Sequence, residues 1–547
     1  MSRAAAFLTH EVTNQVPVLC EFNAASTDLA LQQALQREGG EWAWPHVAEY
    51  GRFVGGEGLA LGFDANRHKP ALRSHDRHGQ RVDEVEFHPA YHALMRSAIA
   101  HGVHAYSWQE AGRSGAHVVR AALSYLHHQA EAGTSCPLTM THAAVPVLAR
   151  SATVKGEWLG RALSGKYDGR NLPAAEKFGV TLGMGMTEKQ GGSDVRSNST
   201  HAQPLGGEEY ELVGHKWFFS APMSDAFLVL AQAPGGLSCF LLPRWRPDGT
   251  RNALQVMRLK DKLGNWANAS SEVEFAGAWA RRIGDEGRGV ATILEMVALT
   301  RLDCMLGSAA EMRRALIEAI HHARHRHTFG KRLVEHGLMR NVLADLALES
   351  EAATAFSLRV ARAVDAAPRD AHEAAFARIA TAVGKYWICK RAPAFVNEAQ
   401  ECLGGAGYVE ESILPRLYRE APLNSIWEGC GNIQCLDVLR ALTREPEPRA
   451  AVLRELAAVA GRNEWLDREL DSLQRALAEP QDLELGARLV VERLALALQA
   501  AVLLAGSDDA TALAFCRSRL GQQRGLAFGT LPADVPFDRL IARAWLG

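Results

Sequence analysis

Several stretches of the chain set hydroxyl, aromatic, guanidinium or carboxylate groups beside glycines, so that backbone can close onto a flat ligand while side chains act on it. The first is Gly183-Met-Gly-Met-Thr-Glu-Lys-Gln-Gly-Gly-Ser-Asp-Val195, where Thr187 and Ser193 supply hydroxyls and the peptide N–H groups supply donors. It is not a dinucleotide fingerprint, because Glu188 stands where G-x-G-x-x-G requires a third glycine. From residue types alone it is either a cradle for a planar ligand or a polar turn entering a β domain. Farther on come Gly214-His-Lys-Trp-Phe-Phe-Ser220, Arg326-His-Thr-Phe-Gly330 and Asn424-Ser-Ile-Trp-Glu-Gly-Cys-Gly-Asn-Ile-Gln434. If Trp427, Phe218 and Phe219 form a dry wall around Glu428, desolvation makes that carboxylate a better base. His321 and His325 stand at i and i+4, but no carboxylate supports them and no metal is expected.

The elements that must carry these groups change character along the chain. Residues 1–182 are rich in Ala, Leu and His with helix-spaced apolar positions such as Val118, Ala121, Ala122 and Tyr125, which predicts a helical domain. Over 183–285 short apolar runs alternate with Pro204, Gly206, Gly207, Pro234, Gly235 and Gly236, which predicts a compact antiparallel β domain. Helical periodicity returns over 286–442 in segments long enough for a bundle. Thr443-Arg-Glu-Pro-Glu-Pro-Arg449 then reads as an exposed connector to a separate helical extension, 443–547. At 547 residues the chain needs more than one core. Its nine cysteines are scattered with no C-x-x-C pair, favouring reduced thiols and a cytoplasmic location. No signal-peptide core or membrane span is expected, and Leu494–Gly506 reads as a buried helix.

Taken in order, these segments resemble the acyl-CoA dehydrogenase family. The first is similar to its T-E-x-x-x-G-S-D loop, which implies that Met184, Gly185, Met186, Thr187, Gly192 and Ser193 line a bound FAD. The second is similar to G-x-K-x-W-I-T, with Phe218 in place of the flavin-covering Trp, Phe219 beside it and Ser220 as a ring hydrogen-bond partner. Arg326 and Phe329 match R-x-T-F-G, whose Arg and aromatic reach the pyrophosphate of a neighbouring subunit's FAD, implying an oligomer, expected as a homotetramer. Leu403-Gly-Gly-Ala-Gly-Tyr-Val-Glu-Glu411, with Arg416 and Glu420, resembles the family's FAD-binding turn, although Glu401 replaces its usual Gln. The last segment is similar to I-Y-E-G-T-x-x-I-Q, which makes Glu428 the implied catalytic base and Ile426, Trp427, Gly429, Gly431 and Asn432 cofactor neighbours.

The resemblance implies a mainly α fold with a central β domain: a helical domain, an antiparallel β-barrel or sandwich, a four-helix bundle, and here a C-terminal helical extension. It implies α,β-dehydrogenation of an acyl-CoA, with weak activity on short branched substrates such as isovaleryl-CoA and an electron-transfer flavoprotein as the familiar reoxidant. The strings at 187–193 and 424–429 are most similar to the branch of the family linked to the response to DNA alkylation. That branch implies a second reading, a double-stranded DNA-binding protective protein whose flavin site is vestigial or detoxifies alkylating agents. Residues 441–547 hold thirteen Arg, no Lys and fifteen acidic residues, so they are not basic overall. Arg517, Arg519 and Arg524, with no acidic residue between Asp509 and Asp534, form the candidate phosphate-contacting patch.

Overall fold

In a computed structural model of the chain, residues 9–478, 483–522 and 525–545 are described. The N-terminal third is helical, and its helices Ala116–Ala130 and Ser135–Leu148 are buried on nearly every face. A helix that is apolar or Ala-rich all round has to be central. Both pack on the long Gly289–His325 helix of the bundle. Among the described residues the one departure from all-helix is a hairpin, β1 (Ala71–His75) and β2 (Arg81–Glu86), whose few apolar residues lie among charges and do not stand out in sequence.

Strands β3 (Leu182–Gly185), β4 (His201–Gly206), β5 (Glu209–Ser220), β6 (Ala226–Ala233), β7 (Gly236–Pro243), β8 (Leu254–Leu259) and β9 (Ser270–Ile283) form one sheet. Its order is β3-β6-β4-β5-β9-β7, β8 adds to β9, and β6 also pairs with β7, so the sheet curls back on itself and hides its edges. Nearly all of β6 and β7 is buried, because both faces are covered. Phe227, Val229, Phe240 and Leu242 point into the β core, while Leu228, Leu230, Cys239 and Leu241 pack against apolar side chains of helices Ser135–Leu148 and Gly289–His325. Period-two alternation thus serves two cores from one strand pair.

Helices Gly289–His325, Gly337–Ala366, Ala371–Cys402 and Gly431–Arg444 make the bundle. The expected connector after it is not one. Only Glu445 separates helix Gly431–Arg444 from helix Pro446–Ala457, in which Pro446 and Pro448 occupy the first turn. There the missing N–H has no helical partner to lose, so proline starts a helix instead of breaking it. The extension is also not a separate unit: Val491, Leu498, Phe515 and Leu540 belong to the same continuous core as Leu94, Leu126 and Leu343. Helix Ala487–Gly506 is long and apolar enough to cross a membrane, yet 72% of its most apolar stretch is buried in this core.

Candidate active site

Lys216 pairs with Val273 and Phe219 with Ser271, so Trp217 and Phe218 on β5 face the single residue Glu272 on β9. This is a β-bulge, and its extra residue resets the in-and-out alternation of the strand. Lys216 and Phe219 both turn inward and are buried, at 1% and 0% exposure, whereas Phe218 turns outward at 51%. Lys260 Nζ lies 4.5 Å from the centre of the Phe218 ring and 3.6 Å from that of Trp217. Phe219 packs on Phe227 at a 4.1 Å ring separation and lies under Gly185, where a Cβ would come 2.6 Å from its ring. The expectation that Phe219 contacts a cofactor is therefore corrected: its side chain belongs to the β core.

The loop before β4 is held from below. Glu188 and Lys216 form a fully buried ion pair of 2.7 Å, and Glu188 also accepts the Ser199 N–H at 2.7 Å while Lys216 donates to the Leu230 carbonyl at 2.8 Å. Burial acts to raise the Glu188 pKa, but Lys216 and the hydrogen bonds outweigh it and hold it down to about 2. The Thr187 carbonyl accepts from Trp217 N–H at 2.8 Å, tying the loop to the bulge. At Gly192 a Cβ would stand 2.5 Å from Thr187 Oγ1, so glycine lets the loop fold onto that hydroxyl; Gly192 and Ser193 themselves face solvent.

Glu428 occupies the left-handed region, φ 58°, which a side-chain-bearing residue adopts at a cost and keeps only where neighbours impose it. Three side chains do so. Lys385 Nζ donates to the carbonyls of Trp427 (2.8 Å) and Gly429 (2.5 Å), and Arg301 Nε to that of Glu428 (3.0 Å). Gln434 Nε2 donates to the Glu428 and Gly429 carbonyls at 3.0 and 2.9 Å. Arg301 is itself fixed by Asp437, 2.8 Å away. Thr300 Oγ1 donates to Glu428 Oε2 at 2.7 Å. Burial pushes the Glu428 carboxyl above its ordinary pKa, partly offset by that hydrogen bond and by the charges of Arg301 and Lys385.

Cys136 connects this carboxylate to the β domain. Burial pushes its thiol pKa up to about 11, with smaller effects from nearby Lys262, Asn268, Glu428 and Ser220. Met184, Met186 and Trp427 are partly buried against one apolar cluster that includes Cys136, Met140, Met296 and Leu299. The Trp427 indole donates to Asn424 Oδ1 at 2.9 Å. The structure thus gathers the methionine loop, Ser220, Trp427 and Glu428 around one apolar, partly open region. Thr300, Arg301 and Lys385 were not singled out in sequence, and Gln434 stood only as the last residue of the motif around Glu428. Lys385, the one charge before the apolar run Tyr386-Trp-Ile-Cys389, was the available signal, since a lysine in such a setting needs acceptors.

Other candidates lie elsewhere. Arg326 and Phe329 follow the far end of helix Gly289–His325, roughly 38 Å along its axis from Thr300 at ~1.5 Å per residue. Arg326 donates to the Asn14 carbonyl, and Phe329 is 98% exposed. Ile426 is exposed, Gly431 is buried, Gly429 has φ 93°, and Asn432 accepts from Arg488 of the extension at 2.9 Å. His321 bonds the Pro17 carbonyl at 2.7 Å. Of the proposed phosphate patch, Arg519 is enclosed by Asp345 and Glu349 at 14% side-chain exposure, and Arg517 pairs with Asp534. Arg524 lies outside the described residues. The patch is corrected accordingly, because Asp345 and Glu349 come from helix Gly337–Ala366, far away in sequence.

The chain thus carries an exposed aromatic ring on a bulge, a glycine-bearing loop with a hydroxyl, and a buried carboxyl of raised pKa. Residues 183–278 match the family model "Acyl-CoA dehydrogenase, middle domain" and 287–443 match "Acyl-CoA dehydrogenase, C-terminal domain". The chain belongs to the acyl-CoA dehydrogenase family, FAD-dependent oxidoreductases. Within it the similarity is to the AidB type: residues 14–169 match "Adaptive response protein AidB N-terminal domain", and AidB of Escherichia coli (strain K12) is 49% identical over 95% of this chain and 96% of its own length. Acyl-CoA dehydrogenase family member 11 of Caenorhabditis elegans is 31% identical over 84% of this chain and 78% of its own. The solved structure of Caenorhabditis elegans ACDH-11 in complex with C11-CoA, 27% identical, covers 99% of this chain and 98% of that one with a TM-score of 0.86.

The residues present fit FAD. Phe218 offers an exposed ring, Ser220 a partly buried hydroxyl 3.3 Å from that of Ser270, and the Gly192 cradle leaves no room for a Cβ against Thr187.

Proposed function

We propose that the chain oxidises a short branched acyl-CoA such as isovaleryl-CoA at the α,β bond, with Glu428 removing the α-proton. FAD, held by Met184, Met186, Thr187, Phe218 and Ser220, supplies the hydride acceptor that no side chain can provide. The observation that carries the reading is the clamp on Glu428: a strained, left-handed backbone fixed at three consecutive carbonyls, with a carboxyl that burial makes a stronger base. Thr300 orients that carboxyl, and Trp427, Met140 and Met296 limit water near it.

A short acyl group is supported by the floor beneath Thr300. One helical turn on, the buried Asp303 pairs with Arg120 and accepts from Thr139 Oγ1 at 2.7 Å, so the space below the base is polar and filled. The likeness to AidB supports a place in the adaptive response to DNA alkylation. The exposed Phe329 supports a homotetramer in which Arg326 and Phe329 serve a neighbouring subunit's cofactor. An electron-transfer flavoprotein as acceptor and a cytoplasmic location complete the proposal. Duplex DNA binding as the main role gains no support from Arg517 and Arg519, whose charges are spent on carboxylates.

The test is anaerobic bleaching of the bound flavin by a panel from isovaleryl-CoA to the C11 thioester. Fastest bleaching by the short branched member is expected. A flavin that no thioester bleaches would remove the enzymatic reading.

A further inference from the structure

Behind the site lies a cavity of about 470 Å3, walled by β2 and helix Pro89–Ala100, by the 167–181 connection, and by the turn after β5. That is room for one small molecule. It backs onto the active site: Pro137, next to Cys136, and Ala221, next to Ser220, both line it. One part of its wall is apolar, built from Val85, Met95, Met223 and the Phe87–Tyr91 pair, whose rings stack 4.0 Å apart, and the rest is polar.

Of the three acidic side chains that line it, the largely exposed Glu86 lies 3.6 Å from Arg73 Nε and the other two are hydrogen-bonded. Glu84 accepts from Asn171 Nδ2 at 2.8 Å and from Arg73, and Asp168 accepts from Arg170 Nε at 2.9 Å and the Phe178 N–H at 3.2 Å. What remains is donor capacity. The Ser224 hydroxyl is buried, the residue being 2% exposed, and has no partner among the described residues. Tyr91, 6% exposed, makes no side-chain hydrogen bond among the described residues, unlike neighbouring Tyr167, whose hydroxyl meets His92 Nδ1 at 2.8 Å. Lys177 Nζ spends one hydrogen on Asp225 Oδ1 at 2.6 Å and has two to spare. A buried hydroxyl is normally satisfied, so the idle Ser224 hydroxyl, with the Tyr91 hydroxyl and an ammonium that uses one of its three hydrogens, calls for an acceptor. A molecule with an acceptor-only head and a compact apolar body answers both halves of the wall.

We propose that this cavity binds a small carboxylic acid with a branched or aromatic body, its carboxylate taken by Ser224, Tyr91 and Lys177 and its body by Val85, Met95 and Met223. None of its lining residues is among those placed around Glu428 and Phe218, so occupancy is read without turnover and does not depend on dehydrogenation.

The test is calorimetric titration of the full-length, FAD-loaded protein with benzoate and isovalerate, and with benzylamine and isoamyl alcohol as size-matched controls. Both acids are expected to bind and neither control. Ser224→Ala and Tyr91→Phe each delete one hydroxyl at nearly constant shape, and each should weaken binding about tenfold with the flavin spectrum and acyl-CoA bleaching unchanged. Failure of both acids to bind at millimolar concentration, equal binding of benzylamine, or unaltered affinity in both variants overturns the proposal. So does binding that saturating acyl-CoA abolishes while both variants retain it, which would put the acid in the active site.

Discussion

Thr300 donates its hydroxyl to Glu428 Oε2 across 2.7 Å, and Arg301, the next residue, donates its Nε–H to the Glu428 carbonyl at 3.0 Å. Two consecutive residues of one helix thus fix the carboxyl and the backbone of the base together, so its direction is set before any substrate arrives.

The first prediction concerns charge at Glu428. Its folded pKa is raised by burial, so the unfolded chain loses the proton at lower pH, and the carboxylate costs stability once pH exceeds the unfolded value. Glu428→Gln should therefore melt at the same or a higher temperature at pH 8, keep its flavin, and bleach about 10²–10⁴-fold more slowly. The parent's bleaching rate should rise with pH through a midpoint above the ordinary carboxylate range. An undiminished rate in the variant would refute the base.

Lys385 holds two carbonyls of the loop from a nearly fully buried position. Lys385→Met leaves both without that donor, at about 1–3 kcal/mol for each group. Amide exchange over 426–431 should accelerate and bleaching should slow, while exchange in β6 and β7 stays at the parent rate. Equal exchange in the loop would show that the clamp is not needed.

Phe218 and Phe219 should separate binding from stability. Phe219→Ala opens a cavity in the β core and should cost about 3–5 kcal/mol in denaturant unfolding. Phe218→Ala should leave unfolding almost unchanged and weaken FAD retention on dilution. The reverse pattern would contradict the bulge.

The Glu188–Lys216 pair should set acid sensitivity of the β domain. With the Glu188 pKa lowered to about 2, its stabilisation is full above the unfolded value near 4.5 and is lost as pH falls toward 2. Lys216→Met strands the buried carboxylate and should cost about 3–5 kcal/mol at pH 7. Because protonation then neutralises Glu188, the variant's deficit should shrink on acidification; a constant deficit from pH 7 to 3 would count against the pair.

Arg519 and Arg517 differ in the same way. Arg519→Ala leaves Asp345 and Glu349 short of a partner and should lower the melting temperature clearly, whereas Arg517→Ala, at an exposed pair, should change it little. Equal effects would mean that Arg519 is not the interior strut described.

The sequence by itself determined the order of helical, β and helical regions and singled out the groups proposed to react. A loop rich in glycine and hydroxyls, a Trp-Glu-Gly turn and long helical periods are local properties, and local properties are written in neighbouring residues. What the tertiary structure alone decided is which way side chains point and what they meet. Trp217-Phe-Phe219 has no internal feature that assigns one phenylalanine to the site and the other to the core; the two-for-one register against Glu272 on β9 does that. Arg519 reads as a surface cation until Asp345 and Glu349, some 170 residues earlier, close around it. The clamp on Glu428 is drawn from three separate helices, beginning at Gly289, Ala371 and Gly431, and meets only when the bundle packs. Spacing along a chain fixes faces of single elements, but contact between elements depends on register and packing that no single stretch contains.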